Sequence, residues 1–322
     1  MAEIKKIGVL TSGGDGPGMN AAIRSVTRCA LFHDLKVDGI IKGYEGLIDD
    51  EIINLNHRSV SGIIGRGGTI LKTARSERFH SEEGQKKAVE TLKRRGIDAL
   101  IVIGGDGTYR GAKTLFDQWK IPVVGIPGTI DNDLCGTDQT IGCHTAVDTA
   151  LESMDKIRDT AQSMERIFII EVMGNRSGYI AMQVAIGAGA EDVIVPEIRF
   201  DYKRMYEDIL RGYKKGKISW MIIVAEGAGK ANEIAATITE MTKLETRYVV
   251  LGHVQRGGVP NGDDRILATR LGAAAVDLLL KKEYGKAAGL LQDELNVVDL
   301  GVACQRRMTH IEEAYKLLKV LT

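Results

Sequence analysis

Ile7-Gly-Val-Leu-Thr-Ser-Gly-Gly-Asp-Gly-Pro-Gly-Met-Asn20 is a short apolar run, then a glycine-rich turn, and it leads directly into the helix-like segment Ala21–Leu31. A strand feeding a helix through such a turn brings consecutive backbone amides and a helix N-terminus to bear on one anion. The glycines let a phosphate approach the backbone closely. The stretch is not a Walker A loop, because no Gly-Lys-Ser/Thr follows, and it is not a GxGxxG fingerprint. Taken alone it reads equally well as an ordinary strand-to-helix turn.

The same pattern recurs along the chain. Apolar runs at Ala99–Ile103, Val123–Ile126, Ile167–Val172 and Trp220–Ala225 alternate with helix-like segments such as Gln85–Arg95 and Thr145–Thr160. That order predicts parallel sheets with crossover helices. In open parallel sheets ligands lie beyond the carboxyl ends of the strands, where these runs are followed by Gly, Asp, Glu or Thr. Gly142–Arg166 reads as one long helix that carries the chain from a first α/β domain into a second, with a boundary near residue 142. The expected fold is two Rossmann-like α/β domains with mainly parallel sheets sandwiched by helices, and an active site in the cleft between them. No short fixed period points to a solenoid.

Composition sets limits on partners. A chain of 322 residues with 44% hydrophobic content is long enough for two cores. Lys plus Arg balances Asp plus Glu, 43 against 43, so no global field draws in nucleic acid or an anionic membrane. Anions must therefore be captured by local clusters. The first residues show no long apolar leader and the chain has no spanning-length run, which predicts a cytoplasmic protein. Cys29, Cys135, Cys143 and Cys304 are scattered without CxxC spacing, so neither a zinc site nor a disulfide framework is indicated. The 38 glycines gather in clusters directly after apolar runs.

Two further clusters carry chemistry. Ile103-Gly-Gly-Asp-Gly-Thr108 places Asp106 among glycines, where a carboxylate can hold magnesium beside a nucleotide's phosphates and Gly107 leaves room for the nucleotide. NAD kinases and diacylglycerol kinases share this motif, so it indicates phosphoryl transfer more firmly than it indicates an acceptor. Gly125-Ile-Pro-Gly-Thr-Ile-Asp-Asn-Asp133 sets two carboxylates two residues apart at a strand end. An Asp there can orient an attacking hydroxyl and accept its proton late, which makes Asp131 the candidate base.

With GGDGPGMN, RGGT followed by Ala74-Arg75, IGGDGT, PGTIDND, EVMG and GHVQRGG in this order, the chain resembles the bacterial ATP-dependent phosphofructokinases over nearly its whole length. The resemblance implies a glycolytic kinase that transfers phosphoryl from ATP to fructose 6-phosphate. It implies an ATP- and Mg2+-binding domain at 1–141 plus 259–307, and a fructose 6-phosphate domain at 142–258 plus 308–322. By the same resemblance Gly14 meets the transferred group, while Tyr44, Arg75, Ser76, Asp106, Gly107 and Thr108 border ATP, with Asp106 toward the metal. Thr129, Asp131 and Asp133 surround the attacked centre, where Arg75 and Gly14 also act. Pyrophosphate-using relatives carry Asp where this chain has Gly107 and Lys where it has Gly128, so ATP is the implied donor.

In the second half Arg166, Arg247, His253 and Arg256, with Glu226 at a strand end, suit a sugar phosphate: arginine forks for the dianion, a carboxylate for hydroxyls. The resemblance implies that Met173, Gly174 and Glu226 touch the sugar, that His253 and Arg256 hold its phosphate, and that Arg166 and Arg247 reach in from a neighbouring chain of a homotetramer. Where the family has Met-Gly-Arg, this chain has Met173-Gly-Asn175, with the cation displaced to Arg176. A site for ADP or phosphoenolpyruvate is implied at Arg24, Arg28, His57, Arg158, Glu191, Lys215 and Lys217. Histidine replaces an arginine at 57 and Ile218-Ser219 follows Lys217, which predicts a weakened effector response. Alternative readings are a kinase for another sugar phosphate such as tagatose 6-phosphate, or a non-catalytic nucleotide and sugar-phosphate sensor.

Overall fold

A computed structural model describes residues 3–307 and 311–322. Among these residues the strands are β1 (Lys6–Thr11), β2 (Lys36–Ile40), β3 (Ile52–Leu55), β4 (Ala99–Gly104), β5 (Val123–Pro127), β6 (Ile167–Val172), β7 (Asp192–Ile194), β8 (Trp220–Ala225), β9 (Thr246–Val250), β10 (Lys286–Leu291) and β11 (Glu294–Asp299). They form two sheets, one in each of two compact units. The first unit is Met1–Thr145 with Arg256–Arg307, the second Ala146–Gln255 with Met308–Thr322.

In the first unit the strand order is β11-β10-β5-β4-β1-β2-β3. The central pairings are parallel, and only the edge strands β3 and β11 run antiparallel to their neighbours. Strands β4 and β5 are buried at every position, because helices cover both faces of a parallel sheet and leave no polar face to alternate with. One face packs on the helices Met19–Phe32 and Gly262–Leu280; the other packs on Gly43–Ile48, Glu82–Arg95 and Asp106–Asp117. Met19–Phe32 and Gly262–Leu280 meet closely at Gly272, where a Cβ would lie 2.6 Å from Ser25 Cβ. Ser25 Oγ then donates to the Thr269 carbonyl at 2.6 Å.

The second unit holds the parallel sheet β7-β8-β6-β9. The strands β6 and β8 are nearly continuous in burial, whereas the edge strand β9 exposes Tyr248 (54%) and Val250 (53%). The terminal helix Ile311–Leu321 rests on the helix Tyr179–Ala188 and ties down through Lys319 Nζ to Asp192 at 2.7 Å. No helix among the described residues is long and apolar enough to cross a membrane.

Two helices differ in extent from the sequence expectation, for local reasons. The helix expected at Gln85–Arg95 begins at Glu82, because Ser81 accepts the Gly84 amide as an N-cap, and it stops at Gly96 in the left-handed conformation. The helix expected at Gly142–Arg166 spans Cys143–Ser163, since Gly142 (φ 101°) and Glu165 (φ 50°) are both outside helical space. Its first turn belongs to the first unit because the fully buried Asp264 accepts the Gly142 amide (2.7 Å), the Thr145 amide (2.8 Å) and the Thr145 hydroxyl (2.5 Å). A carboxylate on the free amides of a helix start satisfies donors that the helix itself cannot.

Candidate active site

Three neighbouring strands of the first unit, β1, β4 and β5, end level with one another: Thr11 pairs with Ile103, and Gly104 with Pro127. The turns that leave these ends are the three glycine clusters read in the sequence. The backbone ladder continues briefly into them, through Ser12 N to the Ile103 carbonyl (3.1 Å) and Gly128 N to the Gly104 carbonyl (3.0 Å). They therefore share one edge of one sheet.

The first two turns are locked together at Gly104. A Cβ there would lie 2.3 Å from Thr108 Oγ1 and 2.5 Å from the Ser12 carbonyl oxygen, so only glycine permits the approach. Thr108 Oγ1 donates to that same Ser12 carbonyl at 3.0 Å. Behind this contact Tyr44 is 5% exposed, stacks on Phe79 at 4.2 Å and donates to the Thr108 carbonyl at 2.6 Å. Burial pushes its phenol far above the ordinary range, so it remains a neutral donor. The structure thus makes Tyr44 a buried support for Thr108.

Asp106 opens the helix Asp106–Asp117, accepts the Gly107 amide at 2.6 Å and pairs with Arg110 at 2.5 Å, with its side chain half exposed. A Cβ on Gly107 would meet open space. Arg75 is exposed and has no hydrogen-bond or ion-pair partner among the described residues. Ser76 donates to Glu45, which also holds Arg78.

The third turn is rigid. The Asp131 amide donates to Thr129 Oγ1 at 3.2 Å, the Thr129 carbonyl accepts Thr140 Oγ1 at 2.6 Å, and Gly128 bridges Ile141. Asp131 is 9% exposed. Asn132 takes the left-handed conformation (φ 49°), is fully buried, and donates to the Asp138 carbonyl at 3.0 Å. The Asp133 carboxyl is held above its usual range, first by burial and then by the like charge of Asp106. Two carboxylates from adjacent strand ends therefore feel one another, an arrangement that a divalent cation would relieve.

Arg256, which the resemblance puts on the sugar's phosphate, packs on the first glycine turn. Its Nη1 donates to the Asp15 carbonyl at 3.0 Å, and a Cβ on Gly14 would lie 2.3 Å from that nitrogen. One guanidinium thus faces the anion-binding loop directly.

In the second unit the segment Met173–Gly178 follows β6 and is held by three side-chain carbonyl or carboxylate groups. Gln255 Oε1 accepts the Met173 amide (2.8 Å), Glu226 Oε1 accepts the Asn175 (2.8 Å) and Gly174 (3.3 Å) amides, and Glu197 accepts that of Gly178 (2.9 Å). Asn175 has φ 54°, a left-handed position that asparagine tolerates better than arginine. Gln255 is fully buried. It sits inside the quoted GHVQRGG motif, yet its residue type carried no signal of this role. His253 is exposed on the short turn Gly252–Arg256.

Arg166 (2.9 Å) and Arg247 both pair with Glu245, beside the exposed strand β9. Their guanidiniums lower the Glu245 pKa, the Arg166 hydrogen bond most of all. The residues expected at an effector site divide between the units. Arg24 and Arg28 are half-buried on one face of Met19–Phe32 and His57 is exposed, all in the first unit. In the second unit Arg158 donates to the Ala188 and Gly189 carbonyls, Lys217 pairs with Glu191 at 3.0 Å and lies 4.6 Å from the centre of the Trp220 ring, and Lys215 ends the helix Tyr202–Lys214.

Glycine turns on adjacent parallel strand ends, with a carboxylate pair and a guanidinium beside them, define a phosphoryl-transfer fold that works without a Walker A loop. The family model described as phosphofructokinase matches residues 6–279. The chain is 50% identical to the ATP-dependent 6-phosphofructokinase of Clostridium tetani, and 48% identical to that of Halothermothrix orenii, each match covering 99% of this chain and all of the relative. The solved phosphofructokinase of Saccharomyces cerevisiae superposes with a TM-score of 0.86 at 35% identity, covering 98% of this chain and 46% of the yeast chain. This chain belongs to the phosphofructokinase family.

Proposed function

We propose that this chain transfers the terminal phosphoryl group of ATP to the free primary hydroxyl of fructose 6-phosphate. The observation that carries the reading is the shared sheet edge: Gly14, Asp106 and Asp131 leave neighbouring strand ends, with the open space at Gly107 beside them. Relatives of matching length are named ATP-dependent 6-phosphofructokinase, which supports both donor and acceptor.

Asp131 is the base: it takes the hydroxyl proton as the sugar oxygen forms its bond to phosphorus and the bond to the ADP oxygen breaks in line. The Gly14 amide and the Arg75 and Arg256 guanidiniums neutralise the charge of the group in transfer. Thr129 and Asp133 border the same centre. Asp106 and Asp133 fit Mg2+, whose charge, when bound, would offset the phosphates and the carboxylates together. Met173, Gly174, Glu226 and His253 hold the sugar phosphate. Tyr44, Ser76 and Thr108 shape the nucleotide side.

A homotetramer completed by Arg166 and Arg247 of neighbouring chains is supported by their position beside the exposed β9 edge. ADP or phosphoenolpyruvate acts weakly at most through Arg24, Arg28, His57, Arg158, Glu191, Lys215 and Lys217, because a histidine stands where the resemblance implies an arginine. Cytoplasmic location accords with the metabolites involved.

The test is a coupled assay with fructose 6-phosphate and Mg2+, comparing ATP with pyrophosphate and tagatose 6-phosphate with fructose 6-phosphate. Turnover with ATP and fructose 6-phosphate is expected. Asp131→Ser lowers kcat by roughly 10²–10⁴-fold while leaving sugar-phosphate binding in place. Wild-type-like turnover in that variant refutes the base assignment, and no turnover in the wild type refutes the activity.

A further inference from the structure

The turn that carries Asp131 is followed by a loop, residues 134–139, that folds back beneath it. It holds to the turn through a hydrogen bond from Asn132, a residue in the left-handed conformation, to the Asp138 carbonyl. The turn itself is held through Thr129, Thr140 and the Gly128–Ile141 bridge, and the loop behind it needs a tether of its own if the carboxylate is to keep its aim. Further restraint comes from the far end of the chain's return into the first unit. The Arg307 amide donates to the Asp133 carbonyl at 2.8 Å. Its guanidinium Nη1 donates to the Thr137 carbonyl at 2.9 Å and to the Asp138 carbonyl at 2.6 Å, the oxygen that Asn132 also uses. Its Nη2 lies 3.5 Å from Asp138 Oδ1, and just before it Arg306 pairs with Leu134 in an isolated antiparallel bridge.

We infer that Arg307 is a positioning residue for phosphoryl transfer: its backbone and its fork fasten the loop after the Asp131–Asp133 turn, so that the Asp131 carboxylate keeps its aim. The Arg307 guanidinium touches no group assigned to either substrate. Arg307 acts through the two carbonyls and Asp133, joining points 169 and 170 residues apart in sequence. A planar fork with parallel donors suits that task, because it fixes direction as well as distance, where an ammonium fixes only charge. Misplacing a catalytic group by about 1 Å costs on the order of 10²-fold in rate. The effect therefore falls on kcat, while the KM for each substrate, set by other loops, stays put.

This inference rests on the proposed activity, and the test separates the two. Steady-state kinetics with ATP and fructose 6-phosphate are measured for the wild type, R307M and R307K. Methionine keeps the apolar stem without any donor; lysine keeps the charge. Expected are a fall in kcat of roughly 10- to 100-fold in R307M with both KM values within about threefold of wild type, and partial recovery in R307K. Added guanidinium ion is expected to raise kcat in R307M and to do nothing for Asp131→Ser. Wild-type kcat in R307M overturns the inference and leaves the activity standing. Equal losses in kcat and both KM values, with no gain from lysine or guanidinium, show a general structural role and also overturn it. An inactive wild type removes the activity and this inference together.

Discussion

Replacing Asp264 tests whether the start of the helix Cys143–Ser163 is anchored as the structure describes. The carboxylate is fully buried and accepts three hydrogen bonds, from the Gly142 and Thr145 amides and the Thr145 hydroxyl. Burial holds its pKa above the ordinary value while the Thr145 hydroxyl pulls it back, so the three donors sustain an ion that the interior disfavours. In Asp264→Ala the Thr145 hydroxyl still accepts the Asn261 amide at 3.0 Å, while the Gly142 and Thr145 amides lose the carboxylate that accepts them. Each orphaned buried donor costs about 1–3 kcal/mol, so the pair costs roughly 3–4 kcal/mol. At about 2–4 °C per kcal/mol for a unit of this size, the melting temperature falls by roughly 6–16 °C. Asp264→Asn keeps one acceptor and turns an NH2 toward the other amide, which gives an intermediate loss of about 2 kcal/mol. Differential scanning calorimetry of the three proteins is the assay. The expected order is wild type, then Asn, then Ala; a melting temperature for Asp264→Ala within about 2 °C of wild type refutes the reasoning.

Asp133→Asn is expected to stabilise the ligand-free protein at pH 8 while reducing turnover. The Asp133 pKa is raised on folding by burial and by Asp106, so the folded state binds the proton more tightly. The cost is therefore fully present above the folded pKa and is relieved as pH falls through it toward the unfolded value; a series of melting curves from pH 8 down into the ordinary carboxylate range should show the advantage of asparagine shrinking, and an equal advantage throughout refutes the assignment. Gln255→Leu removes the acceptor for the Met173 amide and is expected to raise the KM for fructose 6-phosphate about tenfold without changing that for ATP, whereas Gln255→Glu retains the acceptor and moves it less. A rise in the ATP KM of the same size would show that Gln255 acts on the fold at large. Gly107→Asp enters open space, so it should leave the melting temperature within about 2 °C while lowering kcat/KM for ATP at least tenfold. Unchanged ATP kinetics there would remove Gly107 from the nucleotide side.

Much of the fold and the placement of the candidate site was legible in the sequence. Strands β1, β4, β5, β6 and β8 announce themselves as unbroken apolar runs because parallel strands are covered on both faces, and the glycine turns after three of them are local signals. Asp106, Thr129 and Asp131 follow, since a residue just past a strand end faces the ligand edge in any such sheet. The edge strands β3 and β9 were hidden: they are short and largely exposed or half-buried, as in Ile52–Leu55, so neither period nor continuity marks them.

By itself, then, the sequence determined the layered α/β architecture, the order of the glycine turns and the identity of the chemical groups, because each depends on residues near one another in the chain. Only the tertiary structure decided what fastens those groups. Arg256 lies on the Gly14 turn, Asp264 on the start of the helix at Cys143, Gln255 under Met173, and Arg307 across the loop after Asp133. None of these side chains repeats with a helix or strand period, and their partners are chosen by where the backbone returns in space. A hydrogen bond senses direction and distance within a few tenths of an ångström. Spacing along a chain carries no such information across a hundred residues or more.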